Sequence, residues 1–453
     1  MLDQLKKDFD ENKARYFDEL AEFLAFKSIS ADSNYKDEVR NCIKWLESHV
    51  AKLDFTTEIK ETNKHPILFA QRIVSSDVPT LLFYGHYDVQ PPDPIEEWDS
   101  DPFKMEIRNN RIYSRGAQDD KGQVFFFLKA IEYLISKSQL GINIKLCLEG
   151  EEEIGSPNLV KIADSLGDRL KADLLLVCDT DKTGGGNPCI VLGLRGICGF
   201  EFQVKTADRM LHSGMYGGSV ANAASVAARL IASLHDEDGR IAVPGIYDDV
   251  LSISQKSKEI LADAAESDDE VVKAIGAKKL WGEPEFSRAE RVALRPSIDI
   301  NGITAGYQGE GSKTVIPNTA TFKLTSRLVA NQLPEKISSL LLKHFQNVCP
   351  ETAEVILLHS EQSSAALSIS AEQREIIHVK KVLQKISEKE PKFDWVGGSI
   401  PIVAEIVKNA GAVPLLVGFG TDEGRIHEPN ESFGIQDFWE GFRFVVAYIT
   451  DLK

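Results

Sequence analysis

Runs of consecutive apolar residues set between long helix patterns constrain this chain more than any other feature. Thr80-Leu81-Leu82-Phe83-Tyr84-Gly85, Ile142–Leu148 and Asp173–Cys178 read as buried strands. Asn41–Leu53 and Gln123–Ile135 carry helical periodicity between them. Strands interleaved with helices predict an α/β fold, a three-layer domain around a mostly parallel sheet. Near Gly193 the texture changes. Arg195–Thr206 alternates like a half-exposed strand, Ala221–Leu234 is an alanine-rich helix, and Ala320–Leu328 alternates again. Leu333–Phe345 is helical and Ala353–Leu358 is a strand. Strand–helix–strand–strand–helix–strand is an α+β, ferredoxin-like pattern, which places an inserted lid at 195–365, with 239–300 as an irregular insertion within it. Glu372–Ile386 then reads as a helix and Val413–Val417 as a strand. The expected division is a discontinuous domain, 1–194 with 366–453, interrupted by the lid.

Charge narrows the function. Lys and Arg total 52 against 69 Asp and Glu, a net charge of −17. That balance argues against the general basic face that nucleic acid requires, though not against a local patch, and such a surface is repelled by an anionic leaflet. No stretch approaches the roughly 20 apolar residues of a membrane span. The first 30 residues are amphipathic and highly charged, unlike a secretory signal. The six cysteines form no CxxC pair, as expected of reduced core thiols in a cytoplasmic protein.

The chemistry concentrates where strands end. His86 and Asp88 follow the Thr80–Gly85 strand, and the His–x–Asp spacing puts both side chains on one face of an extended chain. There a carboxylate can fix the imidazole tautomer for metal binding, although a polar strand end fits the same residues. Arg115-Gly116-Ala117-Gln118-Asp119-Asp120-Lys121-Gly122 leads into an apolar helix, where adjacent aspartates suit N-capping as well as ligation. Glu149-Gly150-Glu151-Glu152-Glu153 follows the Ile142–Leu148 strand, a costly place for repelling carboxylates unless cations compensate. Asp179 ends a third strand, and His427 follows a fourth. Two histidines and three carboxylates without cysteine suit Zn²⁺ or Mn²⁺, and the set is large enough for two ions if one carboxylate bridges. Of the other histidines, His49, His344 and His378 lie on charged helical stretches and are expected to be structural. His65, His235 and His359 lack acidic companions at ligand spacing.

The order and spacing of these blocks resemble the dinuclear zinc metallopeptidases that include carnosinase, cytosolic nonspecific dipeptidase, aminoacylase, glutamate carboxypeptidase and succinyl-diaminopimelate desuccinylase. The likeness is greatest to the carnosinase and nonspecific dipeptidase branch. It runs through Gly85-His86-Tyr87-Asp88-Val89-Gln90-Pro91, the Arg115–Gly122 block, Glu149–Ser156, Leu211-His212-Ser213-Gly214, Lys313-Thr314-Val315-Ile316-Pro317, Arg327-Leu328-Val329 and Gly397-Gly398-Ser399-Ile400-Pro401. The resemblance implies that Asp119 bridges two divalent ions, zinc first, with manganese or cobalt as alternatives. Glu153 and His427 complete one site, and His86 and Asp179 the other. Asp88 orients His86, and Glu152 is the general base. It implies a cis Asp119–Asp120 peptide and leaves Glu151 without a role. His212 and Thr314 are expected to reach the site of a neighbouring subunit, making 195–365 a lid and dimerisation domain. Arg327 and Ser399 are expected to hold the C-terminal carboxylate of a small peptide. The implied activity is that of a dinuclear metallopeptidase, hydrolysing dipeptides or other small peptides with a metal-bridged hydroxide. The alternative is an N-acyl-amino-acid deacylase of the acetylornithine or succinyl-diaminopimelate type with the same metal residues.

Overall fold

The computed structural model describes residues 2–452, the side chains of 361 and 362 excepted; Met1, in the expected N-terminal amphipathic segment, and Lys453 lie outside the described residues. Leu174–Val177 is buried at every position, and Thr80–His86 at every position but its first. Continuous burial requires cover on both faces of a sheet. These strands lie in the middle of a nine-stranded sheet, in the order Thr56–Lys60, Ile67–Arg72, Asn143–Glu149, Thr80–His86, Leu174–Val177, Val413–Gly418, Cys189–Leu194, Leu367–Ser368; Lys392–Val396 also pairs with Cys189–Leu194. The four strands from Asn143–Glu149 to Val413–Gly418 are parallel, so their carboxyl ends share one edge. The helices Lys121–Ser136, Ile435–Asp451 and Leu2–Leu24 pack together over this sheet. Phe127 stacks on Phe83 with ring centroids 3.9 Å apart.

A second, four-stranded antiparallel sheet runs Ser297–Ala305, Thr319–Leu328, Gly196–Lys205, Glu354–Ser364. Burial alternates strictly along Gly196–Lys205, because helices Ala223–Ala232 and Pro334–Val348 cover only one face. With those helices the chain order is β-α-β-β-α-β, the ferredoxin-like arrangement. Its own core is built on Phe202, Phe322 and Phe345, with the Phe202 and Phe345 rings edge to face at 4.8 Å.

The segment 239–300 is more ordered than its sequence suggests. It contains helices Gln255–Ala264, Asp268–Ile275 and Arg288–Leu294, and its end opens the Ser297–Ala305 strand. Reciprocal capping boxes, Ser267 with Glu270 and Ser287 with Glu290, start two of these helices. The segment also touches the first sheet: Lys392 Nζ lies 2.6 Å from an Asp263 carboxylate oxygen. Five strands of the first sheet escape the sequence reading, Thr56–Lys60, Ile67–Arg72, Cys189–Leu194, Leu367–Ser368 and Lys392–Val396. Among the described residues no helix is long and apolar enough to cross a membrane. All six cysteines are free thiols, five of them buried.

Candidate metal centre

His86 is the last residue of its strand and pairs across with Glu149, the last of the neighbouring strand. Asp179 lies two residues beyond Val177. Asp119 enters from the loop before the Lys121–Ser136 helix, and its peptide bond to Asp120 is cis. His427 follows the Val413–Gly418 strand through a short 3-10 turn, at a positive φ of 62°.

These groups converge on Asp119. Its Oδ1 lies 3.0 Å from His86 Nε2, and its Oδ2 lies 2.9 Å from His427 Nε2. Glu153 Oε2 is 3.2 Å from the same His427 nitrogen, and Asp179 Oδ2 is 3.9 Å from His86 Nε2. The result is two three-residue groups, His86–Asp119–Asp179 and Asp119–Glu153–His427, sharing one carboxylate. Donors about 2.0–2.2 Å from a common ion stand at separations of this size. The electrostatics favour cations too. Burial and the nearby Asp119 push Asp179 up to about 7, and burial drives Glu152 well above the ordinary carboxylate range despite His86 beside it. His427 is pushed up to about 10 by its bonds to Asp119 and Glu153. Crowded acids that hold protons in this way are relieved by divalent ions.

The surrounding shell is a set of carboxylates acting as acceptors. The backbone carbonyl of Asp88 lies 3.1 Å from His86 Nδ1, and its carboxylate lies 3.4 Å from the same atom. That carboxylate also accepts the backbone N–H groups of Glu152 and Glu153 at 3.2 and 3.1 Å, so Asp88 fixes the two residues together. Glu151 turns away from the cluster: Oε1 accepts from the His65 amide (2.8 Å) and the Thr62 hydroxyl (3.0 Å), and Asn158 also donates to this carboxylate. It is a buried staple for the following turn. Glu431, fully buried, accepts from Arg115 Nη1 and the amides of Gly116, Gln118 and Asp119. The sequence reading passes over Glu431, and no spacing rule would have found it.

A third acidic group, Glu19–His49–Glu132, also has ligand-like proximity. Lys129 Nζ already sits between its two carboxylates, and Arg15 bonds both, so protein cations satisfy it.

The substrate candidates divide. Arg327 Nη1 donates to Ser399 Oγ at 2.9 Å. Arg195 lies beside Arg327, its Nε bonded to the Gly397 carbonyl at 2.8 Å, and burial pushes it down to about 10. Among the described residues neither guanidinium has a carboxylate partner within ion-pair distance. Ser399 shares a cavity of about 290 Å³ with Asp119, Glu152, Asp179 and His427. His212 and Thr314 adjoin each other, and Ser213 N donates to the Thr314 carbonyl at 3.1 Å. Both are exposed, and neither lines that cavity.

Residues 82–451 match Peptidase family M20/M25/M40. The chain is 28% identical over 471 residues to the Cys-Gly metallodipeptidase dug1 of Schizosaccharomyces pombe, covering 100% of this chain and 98% of that protein. It is 27% identical over 399 residues to the Beta-Ala-His dipeptidase of Rattus norvegicus, covering 86% and 80%. Among solved structures, the M20 family metallo-carboxypeptidase Sso-CP2 of Sulfolobus solfataricus superposes with a TM-score of 0.86 at 33% identity, over 96% of this chain and 98% of that one.

Proposed function

The chain belongs to Peptidase family M20/M25/M40 and is a metallopeptidase, and we propose that it hydrolyses dipeptides with a free C-terminal carboxylate. The observation that carries this reading is the Asp119 carboxylate, whose two oxygens face the histidines of two separate ligand sets at 3.0 and 2.9 Å. His86 and Asp179 would hold one divalent ion and Glu153 and His427 the other, with Asp119 common to both sets. The borderline His–carboxylate donor set favours zinc, with manganese and cobalt as alternatives. Such ions, when bound, polarise the scissile carbonyl and acidify water.

The chain's own residues do the rest. Glu152 receives the proton of the attacking water on its carboxylate and returns it to the leaving amine nitrogen. Asp88 sets its position through the backbone N–H. Arg327 and Ser399 hold the substrate carboxylate; a planar guanidinium without an internal carboxylate partner suits that task. His212 donates to the developing oxyanion, and Thr314 lies beside it.

Because His212 and Thr314 are exposed and apart from the cavity within one chain, they serve the site of a second copy. The working form is then a homodimer whose lids, residues 195–365, close over catalytic domains formed by 1–194 and 366–453. The separate cores of the two sheets support that division. Six free thiols fit a cytoplasmic enzyme. The test is a panel of dipeptides and N-acyl amino acids: hydrolysis of the dipeptides supports the proposal, and turnover confined to the N-acyl compounds overturns it.

A further inference from the structure

The cavity between Ser399 and the metal residues has a wall that the reaction does not use. Asp181 and Asp394 line it, and both are half-buried carboxylates. Asp181 accepts one hydrogen bond, from Gln118 Nε2 at 3.3 Å. Asp394 accepts one, from the Trp395 amide at 2.8 Å. Neither has a cation within ion-pair distance among the described residues. Lys182 lines the same cavity, but its ammonium is bound to Asp437 and Glu440 at 2.5 and 2.6 Å. Arg288 is near enough to Asp394 to be felt, yet its own ion pair is with Asp268 at 3.4 Å. Two other buried acids, Glu431 and Glu283, are by contrast matched by Arg115 and Arg295.

A second observation points to a missing donor. Gln123 is only 2% exposed and lines this cavity, and its Oε1 accepts no hydrogen bond. A buried acceptor without a partner costs about 1–3 kcal/mol. The wall thus offers two uncompensated carboxylates and an idle carbonyl oxygen. Leu194, Val396 and Ile400 line the same cavity and make part of its wall aliphatic. An apolar stem ending in a cation matches such a surface.

Position decides which part of a substrate meets it. With the carboxylate at Arg327–Ser399 and the scissile bond beside Glu152, only the C-terminal residue lies between. We propose that this cavity selects a protonated basic side chain, of the lysine, ornithine or arginine type, on the C-terminal residue of the substrate. The inference rests on the dipeptidase reading and adds a specificity to it. Burial pushes the Asp394 carboxyl up to about 6, a strain that an incoming ammonium relieves. The net charge of −17 steers cationic substrates toward the protein in the same sense.

The experiment compares kcat/KM for Ala-Lys, its uncharged isostere Ala-norleucine, and the inverted dipeptide Lys-Ala, on metal-loaded protein. Ala-Lys is expected to exceed Ala-norleucine by at least about tenfold. In Asp394→Asn and in Asp181→Asn that ratio is expected to fall to near one. Because a ratio is read, a general loss of activity in either variant does not disguise the result. A ratio near one in the unaltered protein, a ratio retained in both variants, or a preference that follows Lys-Ala instead, would overturn the proposal. Failure to hydrolyse any of the three, by protein carrying its ions, would overturn the dipeptidase reading itself and the subsite with it.

Discussion

The Glu431 carboxylate accepts the backbone N–H of Asp119 at 3.1 Å, so a fully buried acid holds the residue on which both ligand sets converge. The same carboxylate neutralises Arg115, itself 1% exposed, at 2.8 Å. Glu431→Gln removes the charge and leaves the guanidinium buried without a counter-charge, its Nη2 still bonded to the Pro91 carbonyl. Breaking a buried pair in that way costs about 3–5 kcal/mol. The expected outcome is a loss of that size in urea denaturation, with weaker metal retention on dialysis. A variant as stable as the parent that keeps its ions would show that the Asp119 loop holds itself.

Glu152 is assigned a proton and no metal. Glu152→Gln should therefore lower kcat by about 10²- to 10⁴-fold while the metal content per chain stays the same. Near-normal turnover would remove it from the base role. Loss of an ion together with activity would make it a ligand instead.

His212 carries the claim of a shared site. His212→Ala alone should reduce kcat strongly, as should Glu152→Ala. When the two inactive proteins are mixed and allowed to exchange subunits, hybrid dimers carry one site with both residues intact. Partial recovery of activity is expected. A mixture no more active than its components would confine each site to one chain.

His49 offers a check on the fold away from the metals. Burial, with Lys129 close by, pushes its imidazole down to about 4. It stacks on Trp45 with centroids 4.8 Å apart. In the unfolded chain a histidine titrates near 6.5. The unfolded state therefore takes up the proton first as pH falls, so this contribution is complete above about 6.5 and lost progressively toward 4. Between about pH 7.5 and pH 5 the loss amounts to roughly 2 kcal/mol. Urea denaturation of His49→Gln should show a shallower decline over that window; an identical decline would mean that other groups govern it.

What the sequence made legible follows a physical pattern. Continuous apolar runs such as Leu174–Val177 announce themselves, because a central strand is buried on both faces. The half-buried Lys392–Val396, reading Lys-Phe-Asp-Trp-Val, carries no such signal and is recognised only when paired with Cys189–Leu194. The helices within 239–300 were readable through Ser267–Glu270 and Ser287–Glu290, capping signals that polar composition around them obscured. At the site, His86, Glu153, Asp179 and His427 stand at the ends of parallel strands or in the loops that follow, and Asp119 stands just before a helix, so a period-and-punctuation reading reaches them. Glu151 and Glu431 act as hydrogen-bond acceptors for backbone donors, and that role has no sequence spacing. Arg195 and Asp181 matter through what surrounds them, which only the fold brings together.

The central claim is that two divalent ions sharing Asp119 drive peptide hydrolysis. It is tested most directly by stripping the protein of metal and returning Zn²⁺, Mn²⁺ or Co²⁺ in steps, with bound metal and dipeptide turnover measured at each step. The account predicts no turnover without metal, and activity that reaches its plateau at two ions per chain. Full activity in the metal-free protein, or binding that stops at one ion with activity complete, would contradict it.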